Sequence, residues 1–199
     1  MFPPWFDHQK RTNAFGLGST CGGAAGTNTR KPRSRIDTVR SIPNRIRCDI
    51  EDLSTDDFDK TVKTNLYALH WIAQAAVPHM PAGSAMITTA SIQAYQPSPI
   101  LLDYATTKAG IVAFTTALAK QLFERGIRAN VVAPAPVWTV RQLSGGQPDE
   151  KVKNFGKDSD LRLPGQPVEL APIFVLLASP ETGFINGEVY GVTGGEGVA

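Results

Sequence analysis

The run from position 88 to 110 reads Thr88-Thr-Ala-Ser91-Ile-Gln-Ala-Tyr95-Gln-Pro-Ser-Pro-Ile-Leu-Leu-Asp-Tyr104-Ala-Thr-Thr-Lys108-Ala-Gly110. It closes a short, apolar, partly β-branched segment, Ser84–Ala90, which predicts a buried parallel strand. A Pro-bearing loop follows. From about Leu102 the pattern turns helical and continues to about Glu124, where Arg125-Gly126 supplies a stop. Ile127–Ala133 is again apolar and β-branched, and it predicts a second strand, parallel to the first across a helical crossover.

The same run carries chemistry. Tyr104 and Lys108 are four apart, so a helix sets them on one face, offset by about 40°. Ser91 falls at the carboxyl end of the predicted strand, where ligands bind in open α/β sheets. A free tyrosine hydroxyl, with a pKa of about 10, is a poor acid or base near neutrality. A nearby ammonium favours the phenolate, and the phenol can then exchange a proton with an alcohol or carbonyl oxygen. A serine hydroxyl can hold that same oxygen. The set suits hydride transfer at an alcohol carbon, with the proton handled by protein and the hydride by a cofactor. The plain alternatives are a chance Tyr-x-x-x-Lys and an amphipathic helix that places lysine for solvation. The serine at the strand end weighs against both.

These residues resemble the short-chain dehydrogenase/reductase family. The segments Ser91-Ile-Gln-Ala-Tyr-Gln-Pro-Ser-Pro and Leu102-Asp-Tyr104-Ala-Thr-Thr-Lys108-Ala are most similar to its glucose/ribitol dehydrogenase-like branch. The resemblance runs from about Ile50 to the C-terminus. It implies that Tyr104 is the acid/base. Lys108 lowers the tyrosine's pKa and holds the nicotinamide ribose, and Ser91 orients the substrate oxygen. Asn65, in Lys63-Thr-Asn65-Leu-Tyr, supports a water-linked proton path. Tyr104 and Lys108 thereby also count as cofactor-binding, together with Pro134, Val137 and Thr139 in Pro134-Ala-Pro-Val-Trp-Thr139. The family has glycine where Ala135 stands. The implied cofactor is NADP or NAD, and the implied substrate is a small-molecule alcohol, aldehyde or sugar-like compound. The long helices imply a homo-oligomer if the chain is folded.

Composition bounds the rest. A chain of 199 residues with net charge +2 argues for one soluble domain and against nucleic acid or an anionic membrane. No apolar run reaches the roughly 18 residues of a spanning helix, and the Pro-interrupted start lacks the basic lead of a signal peptide. Cys21 and Cys48 form neither a metal nor a redox spacing, so a reducing cytoplasm is expected. His70 and His79 read as surface residues, and no metal site is expected.

Residues 1–49 read differently. Arg and Lys recur without apolar period, and Pro and Gly interrupt every candidate element. Gly16-Leu-Gly18-Ser-Thr-Cys-Gly22-Gly23 is glycine-rich, but no strand leads into it and no helix leaves it, so it is not a dinucleotide loop. The family's Thr-Gly-x-x-x-Gly-x-Gly turn is not found. The segment is expected to be irregular, non-native or disordered.

The remaining elements follow from period and caps. Ser54-Thr-Asp-Asp57 starts a helix expected from Thr55 to about His79, with Phe58, Val62, Leu66, Leu69, Ile72, Ala73 and Ala76 facing the core. Gln142–Gly165 reads as a long loop with a short helix near Asp149–Phe155, covering substrate by family resemblance. A helix over Val168–Ala178 and a strand over Gly187–Thr193 complete the chain. The fold expected for residues 50–199 is α/β. It is the C-terminal part of a Rossmann-like doubly wound parallel sheet, layered αβα. Two functions follow: an NAD(P)-dependent oxidoreductase acting on a CH–OH group, or a catalytically inactive truncated fragment able to associate with homologous subunits.

Overall fold

The computed structural model describes residues 49–140 and 152–197. The first element begins where its cap predicts. The Ser54 hydroxyl oxygen accepts the Asp57 N–H at 3.2 Å, and Asp56 and Asp57 occupy the first turn, where the helix dipole favours acids. Helix α1 (Thr55–Val62) runs through a π-turn (Lys63–Tyr67) into α2 (Ala68–Ala76) and closes with a 3₁₀ turn, Val77–His79. The expected single helix is therefore one path widened in its middle. There the Ala68 N–H reaches back to the Lys63 carbonyl, five residues rather than four. The expected core stripe fails at one place: Ile72 is 67% exposed while Ala73 is 2% exposed. Neighbours on a helix stand about 100° apart, so only one of the two can face the sheet.

Strands β1 (Ala85–Thr89), β2 (Arg128–Pro134) and β3 (Val189–Val192) form a parallel sheet in the order β1-β2-β3. Helix α3 (Leu102–Leu122) connects the first two strands, and α4 (Pro167–Ala178) precedes the third. Alternation along β2 sends its side chains to two layers. Val131 and Ala133 pack with Ile111 of α3. Arg128 faces the other way, and its guanidinium donates to the Leu177 and Ser179 carbonyls at the end of α4, 3.0 Å each. The middle strand is buried from Arg128 to Ala133, as a strand covered on both faces must be. This is the expected αβα part of a Rossmann-like sheet. Among the described residues the sheet ends at β1 on one side and β3 on the other.

Helix α3 stops at Gly126, which adopts φ +66° and returns its N–H to the Phe123 carbonyl at 2.9 Å. Helix α1–α2 crosses α3 at Gly110, where an added Cβ would lie 3.0 Å from Leu66 Cδ1. None of the described helices is long and apolar enough to cross a membrane. Residues 1–48 and the first three residues, 149–151, of the expected short helix near Asp149–Phe155 lie outside the described residues, and Val152 and Lys153 are helical.

Candidate functional site

Helix α3 is fixed to its surroundings by hydroxyl and carboxylate groups. Thr115 donates its one hydrogen to the Ile111 carbonyl at 2.8 Å, so Thr88 of β1 is the donor in the buried 2.8 Å contact between the two hydroxyls. At the start of α3, Asp103 accepts the Tyr104 N–H at 2.8 Å through one oxygen and the Thr61 hydroxyl at 2.6 Å through the other. Thr61 is buried, so α1 is tied to the turn that carries Tyr104.

On that turn Tyr104 and Lys108 are both half-buried. The Lys108 Nζ lies 5.5 Å from the centroid of the Tyr104 ring, within cation–π range, and donates to the Thr89 carbonyl at 3.0 Å. Thr89 is the last residue of β1, so the ammonium is held at the carboxyl end of the strand. Ser91 stands two residues further on, extended at φ −167° and buried, and its Oγ accepts the Gln93 N–H at 3.2 Å. The Gln93 side-chain oxygen accepts the Ser98 N–H at 2.7 Å, which closes the loop on itself. Tyr95, in that loop, is pushed above the usual tyrosine range by partial burial.

Asn65 lies in the π-turn, half-buried. Its Nδ2 donates to Thr107 Oγ1 at 2.9 Å, and that hydroxyl donates to the Tyr104 carbonyl at 2.7 Å. Thr107 thus joins Asn65 to the backbone of Tyr104, and Lys108 meets the same tyrosine through its ring. The sequence reading missed Thr107 and Asp103. A signal for the former exists: Thr107, Ile111, Thr115, Ala119 and Leu122 form the buried stripe of α3, and a hydroxyl in such a stripe needs a partner.

Pro134, Val137 and Thr139 form a second group, at the carboxyl end of β2. Thr89 pairs with Val132, so continuing the register sets Ser91 level with Pro134. Val137 is bridged to Gly165 by its neighbours: Trp138 N–H donates to the Gly165 carbonyl at 2.8 Å and Gly165 N–H to the Pro136 carbonyl at 3.0 Å. Successive peptide groups of an extended chain point to opposite sides, so the N–H and carbonyl of Val137 face away from Gly165. Thr139 is half-buried. Among the described residues no cluster of three or more His, Cys, Asp or Glu could hold a metal ion.

The family model for enoyl-(acyl carrier protein) reductase matches residues 36–196. Over 146 residues the chain is 41% identical to the glucose and ribitol dehydrogenase of Daucus carota, covering 73% of this chain and 50% of that protein. The chain belongs to the short-chain dehydrogenase/reductase family. Within that family its relatives include the glucose/ribitol dehydrogenase-like branch. This short-chain dehydrogenase/reductase is also 53% identical over 148 residues to the uncharacterized oxidoreductase YghA of Escherichia coli (strain K12), covering 74% of this chain and 50% of that protein. Among solved structures it is similar to a 3-oxoacyl-(acyl-carrier protein) reductase with bound NAD from Brucella melitensis. The TM-score is 0.66 at 29% identity, over 76% of this chain and 56% of that one. The chain spans about half the length of the curated relatives it matches.

Proposed function

We propose that this chain acts as an NAD(P)-dependent oxidoreductase on an alcohol or carbonyl (CH–OH) group through Ser91, Tyr104 and Lys108, with Asn65 in support. The observation that carries the reading is the double attachment of Lys108. Its ammonium lies 5.5 Å from the Tyr104 ring centroid while it donates to the last carbonyl of β1. A positive charge so held favours the phenolate of Tyr104. The tyrosine then gives a proton to the substrate oxygen in reduction and takes it back in oxidation. Ser91 donates a hydrogen bond to the same oxygen and fixes the substrate against the tyrosine. Asn65, on the π-turn, supports the path by which Tyr104 is reprotonated from water.

The residues present fit the nicotinamide end of NADP or NAD. Lys108 and Tyr104 offer a cation and a hydroxyl for the ribose. The peptide groups of Val137 that face away from Gly165, with Pro134 and Thr139, offer a lining for the carboxamide. When bound, the dinucleotide supplies or accepts the hydride. A small alcohol, aldehyde or sugar-like substrate accords with a relative named glucose and ribitol dehydrogenase. We place the activity in the cytoplasm and assign the long helices to a homo-oligomeric contact.

The test is turnover of aldehydes and polyols with either dinucleotide by the purified chain. Tyr104→Phe is expected to lower the rate by about 10²–10⁴-fold. An unchanged rate in that variant sinks the reading. One observation favours a second reading, a catalytically inactive fragment that associates with homologous subunits: the chain spans half the length of its relatives. All five candidate cofactor contacts also belong to the nicotinamide end. Fluorescence titration with NADH and NADPH separates the two, since micromolar binding is incompatible with the fragment reading.

A further inference from the structure

We propose that Thr107 is a positioning residue of this site, holding the Asn65-bearing π-turn in register with the turn of α3 that carries Tyr104 and Lys108. The proposal rests on the reading of the site given above. Thr107 is 0% exposed, and both capacities of its hydroxyl are engaged. It donates to the Tyr104 carbonyl at 2.7 Å and accepts from Asn65 Nδ2 at 2.9 Å. A hydroxyl carries a single hydrogen. Since that hydrogen goes to Tyr104, Asn65 must offer Thr107 its amide N–H and turn its Oδ1 elsewhere. One hydroxyl therefore fixes the orientation of the Asn65 carboxamide.

The π-turn gives this tether something to hold. Wide turns inside helices are rare and depend on their surroundings. This one is centred on Asn65. The separation of the two helices is set elsewhere, by Leu66 against Gly110. Thr107 adds direction: it couples the residue at the middle of the wide turn to the backbone of Tyr104 itself. A residue that merely fills volume needs no oxygen. Valine has nearly the same shape as threonine, so Thr107→Val isolates the hydroxyl, and Thr107→Ser returns it.

Hydrogen exchange by NMR on the purified chain decides the matter without requiring turnover. In Thr107→Val the Asn65 side-chain amide and the Ala68 backbone amide are expected to exchange about tenfold faster, while the β2 amides from Ala129 to Val132 stay within about twofold. Thr107→Ser is expected to restore both. Unchanged exchange at Asn65, or acceleration spread equally over β2, overturns the proposal. In turnover assays Thr107→Val is expected to lower kcat about 10–100-fold with KM held within about twofold, and Thr107→Ser to recover it. A change confined to KM also overturns the proposal. Tyr104→Phe, run alongside, reports on the oxidoreductase reading. If the unaltered chain shows no turnover, that reading fails, and the exchange experiment still shows whether Thr107 holds Asn65.

Discussion

Helices α3 and α4 cover opposite faces of the same three strands, and they are held there in different ways. Helix α3 meets its neighbours through side-chain oxygens: Thr115 with Thr88, Thr107 with Asn65, Asp103 with Thr61. Helix α4 has one charged residue, Glu169, whose carboxylate accepts the Gln166 N–H at 2.6 Å at the helix start. Its other end is clamped by Arg128, and its outer side is apolar, with Val168 74% and Val175 70% exposed. Hydrogen bonds are directional and apolar burial is not. The helix that carries Tyr104 and Lys108 uses the directional kind. The helix on the other face relies on burial, with Arg128 and Thr182 bonded to the carbonyls at its end. No buried side-chain polar atom among the described residues lacks a partner, so the desolvation cost of these groups is offset by the bonds they make.

Three substitutions test that contrast by thermal or urea unfolding. Arg128→Met should have the largest effect, about 2–3 kcal/mol, because charged donors leave two helix-end carbonyls. A cost below that of the next variant would mean that α4 does not depend on its clamp. Thr88→Val should cost about 1 kcal/mol, since Thr115 keeps its own bond to Ile111 and loses only the hydrogen from β1. A neutral result would take away the claim that oxygens seat α3. Val175→Lys should change stability by less than about 0.5 kcal/mol, as surface substitutions do. A loss of several times that amount would show that the outer side of α4 is covered in solution.

Much of this architecture was legible in the sequence, for reasons that differ by element. Strand β1, helix α3 and strand β2 were marked by apolar period and by Arg125-Gly126, and their observed ends fall within a residue or two of those expected. Ser54 announced α1 through its cap. Tyr104 and Lys108 were legible because four residues on a helix make neighbours. The π-turn was not, because periodicity alone does not distinguish a wide turn from an ordinary one over five residues. Ile72 was misread because the hydrophobic stripe was drawn too broadly around Ala73. Thr107 was hidden beside Thr106, an identical residue that faces solvent and returns its hydroxyl to Leu102. Only the helix phase, fixed by packing, separates the two. Of the loop expected over Gln142–Gly165, residues 142–151 fall outside the described residues, as does everything before Asp49, while residues 152–165 run mainly through turns.

The crossing at Gly110 sets a tolerance for the whole arrangement. A methyl group there would sit 3.0 Å from either terminal carbon of Leu66, closer than carbon atoms settle. Leu66 would have to give by a few tenths of an ångström, either in its side chain or in the turn that carries it. Asn65 precedes Leu66 directly, so a shift of that turn would disturb the 2.9 Å bond to Thr107. The precision with which the wide turn addresses Tyr104 is thus owed to an atom that is not there.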